Sequence, residues 1–271
     1  MFTSGSSGSE KAVVHSIGNH LYNAFGANEA MPLDLGDRWL LSLPLYHVGG
    51  LAIFLRTLIS GSTVVIAPKN QSLEETLKKY NITHISLVPT QLYRILQTKA
   101  GRDSLRKLKL ILLGGSNIPS NLVEKSLQLG LNLRTTYGST EMASQVATGT
   151  KECYKILPFR EVRISSEGEI EVRGQTRFLG YYDGKKLLKP FDKNGWFKTG
   201  DFGVWITEKK VQEKNFVEFN DSLRILGRKD SMFISGGENI YPEEIEDVLY
   251  QSKMVEKAVV VSVIDIEFGE R

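Results

Sequence analysis

The sequence predicts an α/β protein: a mainly parallel sheet with covering helices, followed by a β-rich subdomain and the start of a small α+β unit. Three observations lead there. Between residues 39 and 136, short apolar runs rich in β-branched residues alternate with helical patterns, the signature of strand–helix–strand units. After about residue 155 the pattern turns to period-two alternation broken by turn residues. Near the end, Pro242-Glu243-Glu244 opens a helix, with proline in the first turn and acids beside it.

In chain order, Trp39–Leu45 reads as a strand, Leu51–Leu58 as a helix and Thr63–Ala67 as a strand. Leu73–Lys79 is helical, His84–Val88 a strand, Thr90–Thr98 a helix and Leu108–Leu113 a strand. A helix over Ser120–Leu129 takes Ser120 as its N-cap and Gly130 as its C-terminal cap, and the strand Asn132–Thr136 follows. Glu161–Ile164 and Glu169–Val172 flank Ser165-Ser166-Glu167-Gly168 as a hairpin, and β-rich chain continues to about Arg228. The polar segment Glu208–Asn220 is a loop or an irregular edge hairpin. Beyond Ser231 come a strand, the helix at Pro242 and a strand over Ala258–Ile264.

Bulk properties narrow the function. The 271 residues carry 34 basic and 31 acidic side chains, a net charge of +3 with no basic block, so nucleic acid and anionic membrane surfaces are not expected partners. Cys153 is the sole cysteine, which rules out an intrachain disulfide and reads as a structural or surface thiol. One cysteine and four histidines scattered at 15, 20, 47 and 84 cannot build a zinc cluster. Trp39–Ile59 is the most apolar stretch, but Pro44, His47, Gly49, Gly50 and Arg56 within it suit a buried strand, turn and helix rather than a membrane span. With no leader pattern at the start, a cytoplasmic location is expected.

Several short segments carry chemistry. Thr3-Ser4-Gly5-Ser6-Ser7-Gly8-Ser9-Glu10-Lys11 offers backbone N–H groups, hydroxyls and one ammonium, a cradle for phosphate oxygens. Its spacing is not that of a Walker loop, and a Ser-Gly run near an N-terminus also reads as a linker. Pro44-Leu45-Tyr46-His47-Val48-Gly49-Gly50 closes an apolar strand, where ligands meet open sheets; His47 also fits a packed core position. Leu113-Gly114-Gly115-Ser116 ends another strand, where missing side chains admit a flat ring. Thr136-Tyr137-Gly138-Ser139-Thr140-Glu141 puts an aromatic ring, hydroxyls and a carboxylate on one exit, a set for stacking a base, binding phosphate and holding Mg²⁺, or an ordinary polar turn. Trp196–Asp201 and Gly227–Asp230 supply Asp201 and Arg228, suited to ribose hydroxyls or phosphate or to a surface ion pair. Ile234-Ser235-Gly236-Gly237-Glu238-Asn239-Ile240-Tyr241-Pro242 completes the series.

The order of these segments resembles the adenylate-forming superfamily of acyl- and aryl-CoA ligases, luciferases and peptide-synthetase adenylation domains, from Thr3 to Arg271. In that context Ala12-Val13-Val14-His15 continues the first segment as the family does, against the linker reading. Gly18-Asn19-His20, Asp37-Arg38-Trp39-Leu40, Pro44–Gly50, Leu110–Gly115 and Ile234–Glu244 are most similar to the o-succinylbenzoate–CoA ligases of menaquinone biosynthesis.

The resemblance implies a two-step ligase using ATP, Mg²⁺ and coenzyme A with a small carboxylate, and no tightly bound prosthetic group. A carboxylate attacks the α-phosphate to give acyl-AMP, and the thiol of coenzyme A then displaces AMP. By position, Thr3, Ser4, Gly5, Ser6, Ser7, Gly8 and Lys11 hold the outer phosphates, Gly114, Gly115 and Ser116 flank adenine, Tyr137 stacks on it, and Gly138 also belongs to the ATP site. Thr140 touches the α-phosphate, Glu141 holds Mg²⁺, and Asp201 and Arg228 grip the ribose. His47 lines the acyl pocket with Ser139 and Ser144. Asp230 is a hinge, and Gly236 and Gly237 line a pantetheine channel. The implied division is a large ATP- and acyl-binding domain, 1–227, and a hinge with part of a mobile C-terminal domain, 228–271.

Two departures from the pattern stand out. Glu10 replaces a usual proline in the phosphate loop. The chain also lacks the family's N-terminal subdomain and C-terminal catalytic lysine, since neither Lys253 nor Lys257 has the matching context. The resemblance therefore implies a chain nearly inactive alone in adenylate formation, because one lost electrostatic contact costs about 10²–10³ in rate. Its alternatives are a truncated, non-catalytic nucleotide-binding relative, or an adenylation domain that loads a carrier protein.

Overall fold

A computed structural model describes residues 1–4, 10–68, 70–150, 153–211, 217–252, 254–255, 258–266 and 268–271, with the side chains of 4, 10, 207–211 and 217–221 left aside. The chain opens with β1 (Phe2–Ser4), β2 (Glu10–Val14) and α1 (Ile17–Ala30). Next come β3 (Arg38–Leu40), α2 (Val48–Ser60), β4 (Thr63–Val65), α3 (Leu73–Lys79), β5 (His84–Leu87), α4 (Pro89–Ile95) and α5 (Lys99–Leu105). The alternation ends with β6 (Leu110–Leu113), α6 (Ser120–Gln128) and β7 (Leu133–Ser139).

Antiparallel chain follows: β8 (Ser144–Thr150), β9 (Cys153–Ile156), β10 (Arg160–Ile164), β11 (Glu169–Gly174), β12 (Gly180–Tyr182), β13 (Leu187–Leu188), β14 (Phe197–Val211) and β15 (Val217–Arg228). The last segment holds β16 (Phe233–Ser235), β17 (Glu238–Ile240), α7 (Pro242–Gln251), β18 (Ile264–Asp265) and β19 (Gly269–Glu270).

Among the described residues, β10-β11-β14-β15-β9-β8-β7-β6-β5-β3-β4 form one eleven-stranded sheet. The half from β4 to β7 is parallel, and the half beyond β7 is antiparallel. The expected parallel sheet and β-rich region are thus continuous, joined where β8 folds back on β7. Two further four-stranded sheets are β1-β2-β12-β13 and β17-β16-β19-β18.

Side-chain alternation places the layers. On β6, Ile111 and Leu113 join a core with Leu92, Ile95, Leu105 and Leu122 from α4, α5 and α6. Leu110 and Leu112 point to the other face, against Ala27 of α1, Met31 just after it and Ile53 of α2. A strand covered on both faces reads as an unbroken apolar run, which is why Leu110–Leu113 is so legible. A third core, with Val146, Ile170, Val172, Phe178 and Phe197, packs against the antiparallel half.

Several expectations are corrected. The strand at Trp39 ends at Leu40, because Pro44 has no N–H for a ladder and its carbonyl accepts from His47 N at 3.1 Å. His47 therefore caps α2 instead of closing a strand. On α6 the cap position is Pro119, which has no side-chain acceptor; Ser120 lies inside the helix, and its N–H meets Asp247 of α7 at 3.4 Å. Gly130 does take the left-handed conformation after that helix, φ +72°. Of the segment read as a loop or an irregular edge hairpin, Glu208–Val211 pairs with Val217–Asn220, as the hairpin alternative had it. Ala258–Ile264 forms no strand before Ile264, for want of a neighbouring ladder among the described residues; Val259 and Val261 stay exposed. The sequence reading also missed β1, β2, α1 and α5. The buried residues of α1 include Asn19, His20, Asn23 and Gly26, so no apolar period marks it.

Candidate functional site

At the C-terminal ends of β6 and β7, where ligands bind open α/β sheets, lies a cavity of about 600 Å³. Gly115, Ser116, Tyr137 and Ser139 line it from the ends of β6 and β7, and Asp201 and Arg228 line it from the far side, on β14 and β15. Gly114 is pressed on β7: a Cβ there would lie 2.9 Å from the Thr136 carbonyl oxygen and collide with the Thr136 methyl. Gly115 has φ +89°, which turns the chain away from the sheet.

Asp201 organises the far side. Its Oδ2 accepts from the Tyr137 hydroxyl at 2.6 Å, and its Oδ1 accepts from Arg228 Nη1 at 3.0 Å. Register pairing of Asp201 with Arg228 across β14 and β15 creates the second contact. Arg228 Nε also donates to Asp230 at 3.0 Å. Burial raises the Asp201 carboxyl above its ordinary range although Tyr137 and Arg228 oppose the shift. Burial and then the Asp201 charge raise the Tyr137 hydroxyl, which stays a donor. Burial disfavours the Arg228 charge, but Asp201 and Asp230 outweigh it and raise the guanidinium.

Glu141 sits in a 3₁₀ turn, Thr140–Met142, after β7. The Tyr181 hydroxyl donates to its Oε1 at 2.8 Å, and its carbonyl accepts from Phe178 N at 2.7 Å. The neighbouring Thr140 carbonyl lies 2.7 Å from His15 Nε2. The turn closes through Ala143 and Ser144, with φ +55° and +124°. These conformations are costly for non-glycine residues and are concentrated at functional sites. Ser139 Oγ is buried without a hydrogen-bond partner among the described residues.

Behind this turn is a buried polar cluster that the sequence did not announce. Gln145 Nε2 donates to Thr136 Oγ1 at 2.9 Å, and its Oε1 accepts from Arg56 Nη2. Arg160 Nε donates to the Gln145 carbonyl at 2.8 Å. Arg56 has no carboxylate partner among the described residues, and its Nε is unpaired; the Trp39 ring lies 5.5 Å away. Burial pushes Arg56 down to about 9. Burial and the Arg56 charge do the same to Arg160. Only tertiary packing distinguishes Arg56 from a surface arginine, so no spacing could have found it.

The structure gathers Gly115, Ser116, Tyr137, Gly138, Ser139, Asp201 and Arg228 around one cavity. Thr3 and Lys11 face each other in the β1–β2 register, with Ser4 beside them. Lys11 Nζ lies 5.4 Å from the centre of the Tyr181 ring. Gly5, Ser6, Ser7 and Gly8 lie outside the described residues. His47 is exposed, against Tyr46 at 4.6 Å, and is not on the cavity wall. Gly236 and Gly237 form the β16–β17 turn, also off the wall, with φ +58° and +88°. Glu243, Glu244 and Asp247 of α7, which the sequence reading did not single out, line the cavity opposite Arg224.

Among the described residues no group of three His, Cys, Asp or Glu is placed to hold a metal. Mg²⁺ asks less: one or two carboxylates together with substrate phosphates and water. Glu141 Oε2 has no partner among the described residues, so the turn fits an ion shared with a nucleotide.

Comparison with known proteins agrees with this geometry. Residues 1–182 match the model of the AMP-binding enzyme family. The chain is 41% identical over 274 residues to 2-succinylbenzoate–CoA ligase of Salmonella typhimurium, covering 99% of this chain and 55% of that protein. For the Escherichia coli enzyme of that name the identity is 40%, covering 99% and 56%. Among solved structures, Escherichia coli MenE with a bound OSB-AMS analogue superposes with a TM-score of 0.81 at 37% identity, over 100% of this chain and 57% of that one. Bacillus subtilis MenE in complex with ATP and magnesium ion gives 0.81 at 30%, over 100% and 58%. The chain spans about half the length of these relatives. With its family model matched from the first strand through Tyr182 and its fold shared end to end with adenylate-bound structures, this chain belongs to the AMP-binding enzyme family.

Proposed function

We propose that the chain is the nucleotide- and acid-binding part of an ATP-dependent acyl-CoA ligase acting on 2-succinylbenzoate. The observation that carries this is the meeting of Tyr137, Asp201 and Arg228 beside Gly115 and Ser116. Three segments far apart in sequence build a ribose-sized polar wall next to a slot without side chains. In this reading Asp201 accepts from the ribose hydroxyls, adenine enters between Gly114–Ser116 and Tyr137–Gly138, and Lys11, Thr3 and the residues that follow Thr3 draw the outer phosphates. Thr140 donates to the α-phosphate. Glu141 would hold Mg²⁺, which neutralises phosphate charge as it develops.

The aromatic acid enters past Ser139, Ser144 and His47. Its second carboxylate is matched by the Arg56 guanidinium, a buried cation with no counter-charge among the described residues. Residues 228–271 are the hinge, at Asp230, and the first part of a mobile domain whose Gly236–Gly237 turn admits pantetheine. ATP, coenzyme A and the acid are small cytoplasmic substrates.

Calorimetry tests the reading. The chain should bind ATP more tightly with Mg²⁺ than in chelator, and a 2-succinylbenzoyl sulfamate analogue of the adenylate far more tightly than ATP. A thioester assay with coenzyme A then follows in the full gene product. Absence of ATP binding by a folded sample, or equal affinity for the 2-succinylbenzoyl and acetyl analogues, would refute it.

A further inference from the structure

Lys11 and Glu141 carry opposite charges at one corner of the site, yet among the described residues no ion pair joins them. Tyr181 stands between. Its hydroxyl donates to Glu141 Oε1 at 2.8 Å, and the Lys11 ammonium lies over the same ring, 5.4 Å from its centre. Strand pairing fixes this arrangement. Tyr181 on β12 pairs with Val13 on β2, and Lys11, two residues before Val13, is on the same face as its diagonal neighbour. Phe178 backs the ring edge-on at 4.8 Å, while its own N–H holds the Glu141 carbonyl.

We propose that Tyr181 is a positioning residue that keeps Lys11 and Glu141 apart. It holds one carboxylate oxygen so that the other faces a phosphate-bound cation, and it holds the ammonium on its π-face so that it stays free for phosphate oxygens. Without it the two charges relax into a direct pair that satisfies neither partner's role. The inference rests on the proposed function, since it presumes a magnesium nucleotide between the two groups.

The test is calorimetric titration of ATP, with Mg²⁺ and in chelator, into the wild-type chain and the variants Tyr181→Phe, Tyr181→Leu and Tyr181→Leu/Glu141→Gln. Phenylalanine keeps the ring and loses the donor. Its affinity in chelator should equal wild type, while the strengthening by Mg²⁺ falls about tenfold, the scale of one hydrogen bond to a charged group. Leucine loses both contacts. Its affinity in chelator should also fall, as Lys11 turns to Glu141, and the added Glu141→Gln should restore it. A Tyr181→Phe protein with undiminished magnesium strengthening overturns the proposal, as does a Tyr181→Leu deficit that Glu141→Gln leaves in place. Each variant is checked for wild-type circular dichroism, and Tyr181→Phe preserves the ring packing on Phe178. A wild-type chain that does not bind ATP defeats the functional reading and this inference with it. A wild-type chain that binds ATP and responds to Mg²⁺, with a Tyr181→Phe protein that responds just as strongly, defeats the inference alone.

Discussion

Replacing Arg56 with methionine should leave the fold as stable as before, or more so, while crippling recognition of the acid. Burial holds the Arg56 guanidinium well below its ordinary value, down to about 9. The folded value is the lower one, so the charged form is penalised in the fold at every pH below it. At roughly 1.4 kcal/mol per pH unit, this opposes folding by about 5 kcal/mol. Two contacts offset it: the cation–π approach to Trp39, about 2 kcal/mol when desolvated, and the hydrogen bond to Gln145, about 1.5–3 kcal/mol. Methionine keeps most of the apolar stem volume, so removing the charge should change stability by between zero and about +1.5 kcal/mol. At about 2–4 °C per kcal/mol for a chain of this size, Tm should be unchanged or rise by at most about 6 °C. Losing one partner of a buried ion pair costs about 2–5 kcal/mol, so the 2-succinylbenzoyl sulfamate analogue should bind at least about 30-fold more weakly. A benzoyl analogue, lacking the second carboxylate, should bind both proteins alike. Thermal denaturation and calorimetry on the two proteins are the assays. A large fall in Tm with unchanged analogue affinity would refute the reasoning and make Arg56 a structural strut.

Other outcomes follow from the same contacts. Arg228→Lys cannot reach Asp201 and Asp230 together, so calorimetry should find ATP bound roughly tenfold more weakly. Gly114→Ala should cost about 1–3 kcal/mol by overpacking against Thr136; denaturant titration should show part of that recovered in Gly114→Ala/Thr136→Ser, which lacks the colliding methyl. His20 is held by burial, with help from the His15 charge, down to about 4 from an ordinary 6.5. A histidine kept neutral in the fold contributes stability above about pH 6.5 that is lost as pH falls towards 4. His20→Gln should flatten that part of the stability–pH curve, read by thermal melts across the range.

Much of the parallel half was legible because its strands are covered on both faces. Leu110–Leu113 is a continuous apolar run, and His84–Leu87, though it holds His84 and Ser86, is buried at every position; both match the observed strands closely. The helix α1 was not legible, since it buries asparagines that bond distant carbonyls: Asn19 reaches Gln175 and Arg177, and Asn23 reaches Met142 and Gln145. The same contrast runs through the site. Glycines and charged residues in short segments named Gly114, Glu141, Asp201 and Arg228, because residue type alone limits what they can do. Tyr181 and Arg56 were silent, because a tyrosine or an arginine acquires such a role only from its neighbours.

The sequence by itself determined the strand–helix order, the glycine slots after β6 and the charged residues at the ends of β14 and β15. These depend on local propensity and on period, which a short window contains. Tertiary structure alone decided that Asp201 meets Tyr137, that Lys11 and Glu141 share one ring, and that Arg56 is buried without an anion among the described residues. Those facts depend on strand register and on exclusion of water, and both arise only when segments a hundred residues apart are packed together.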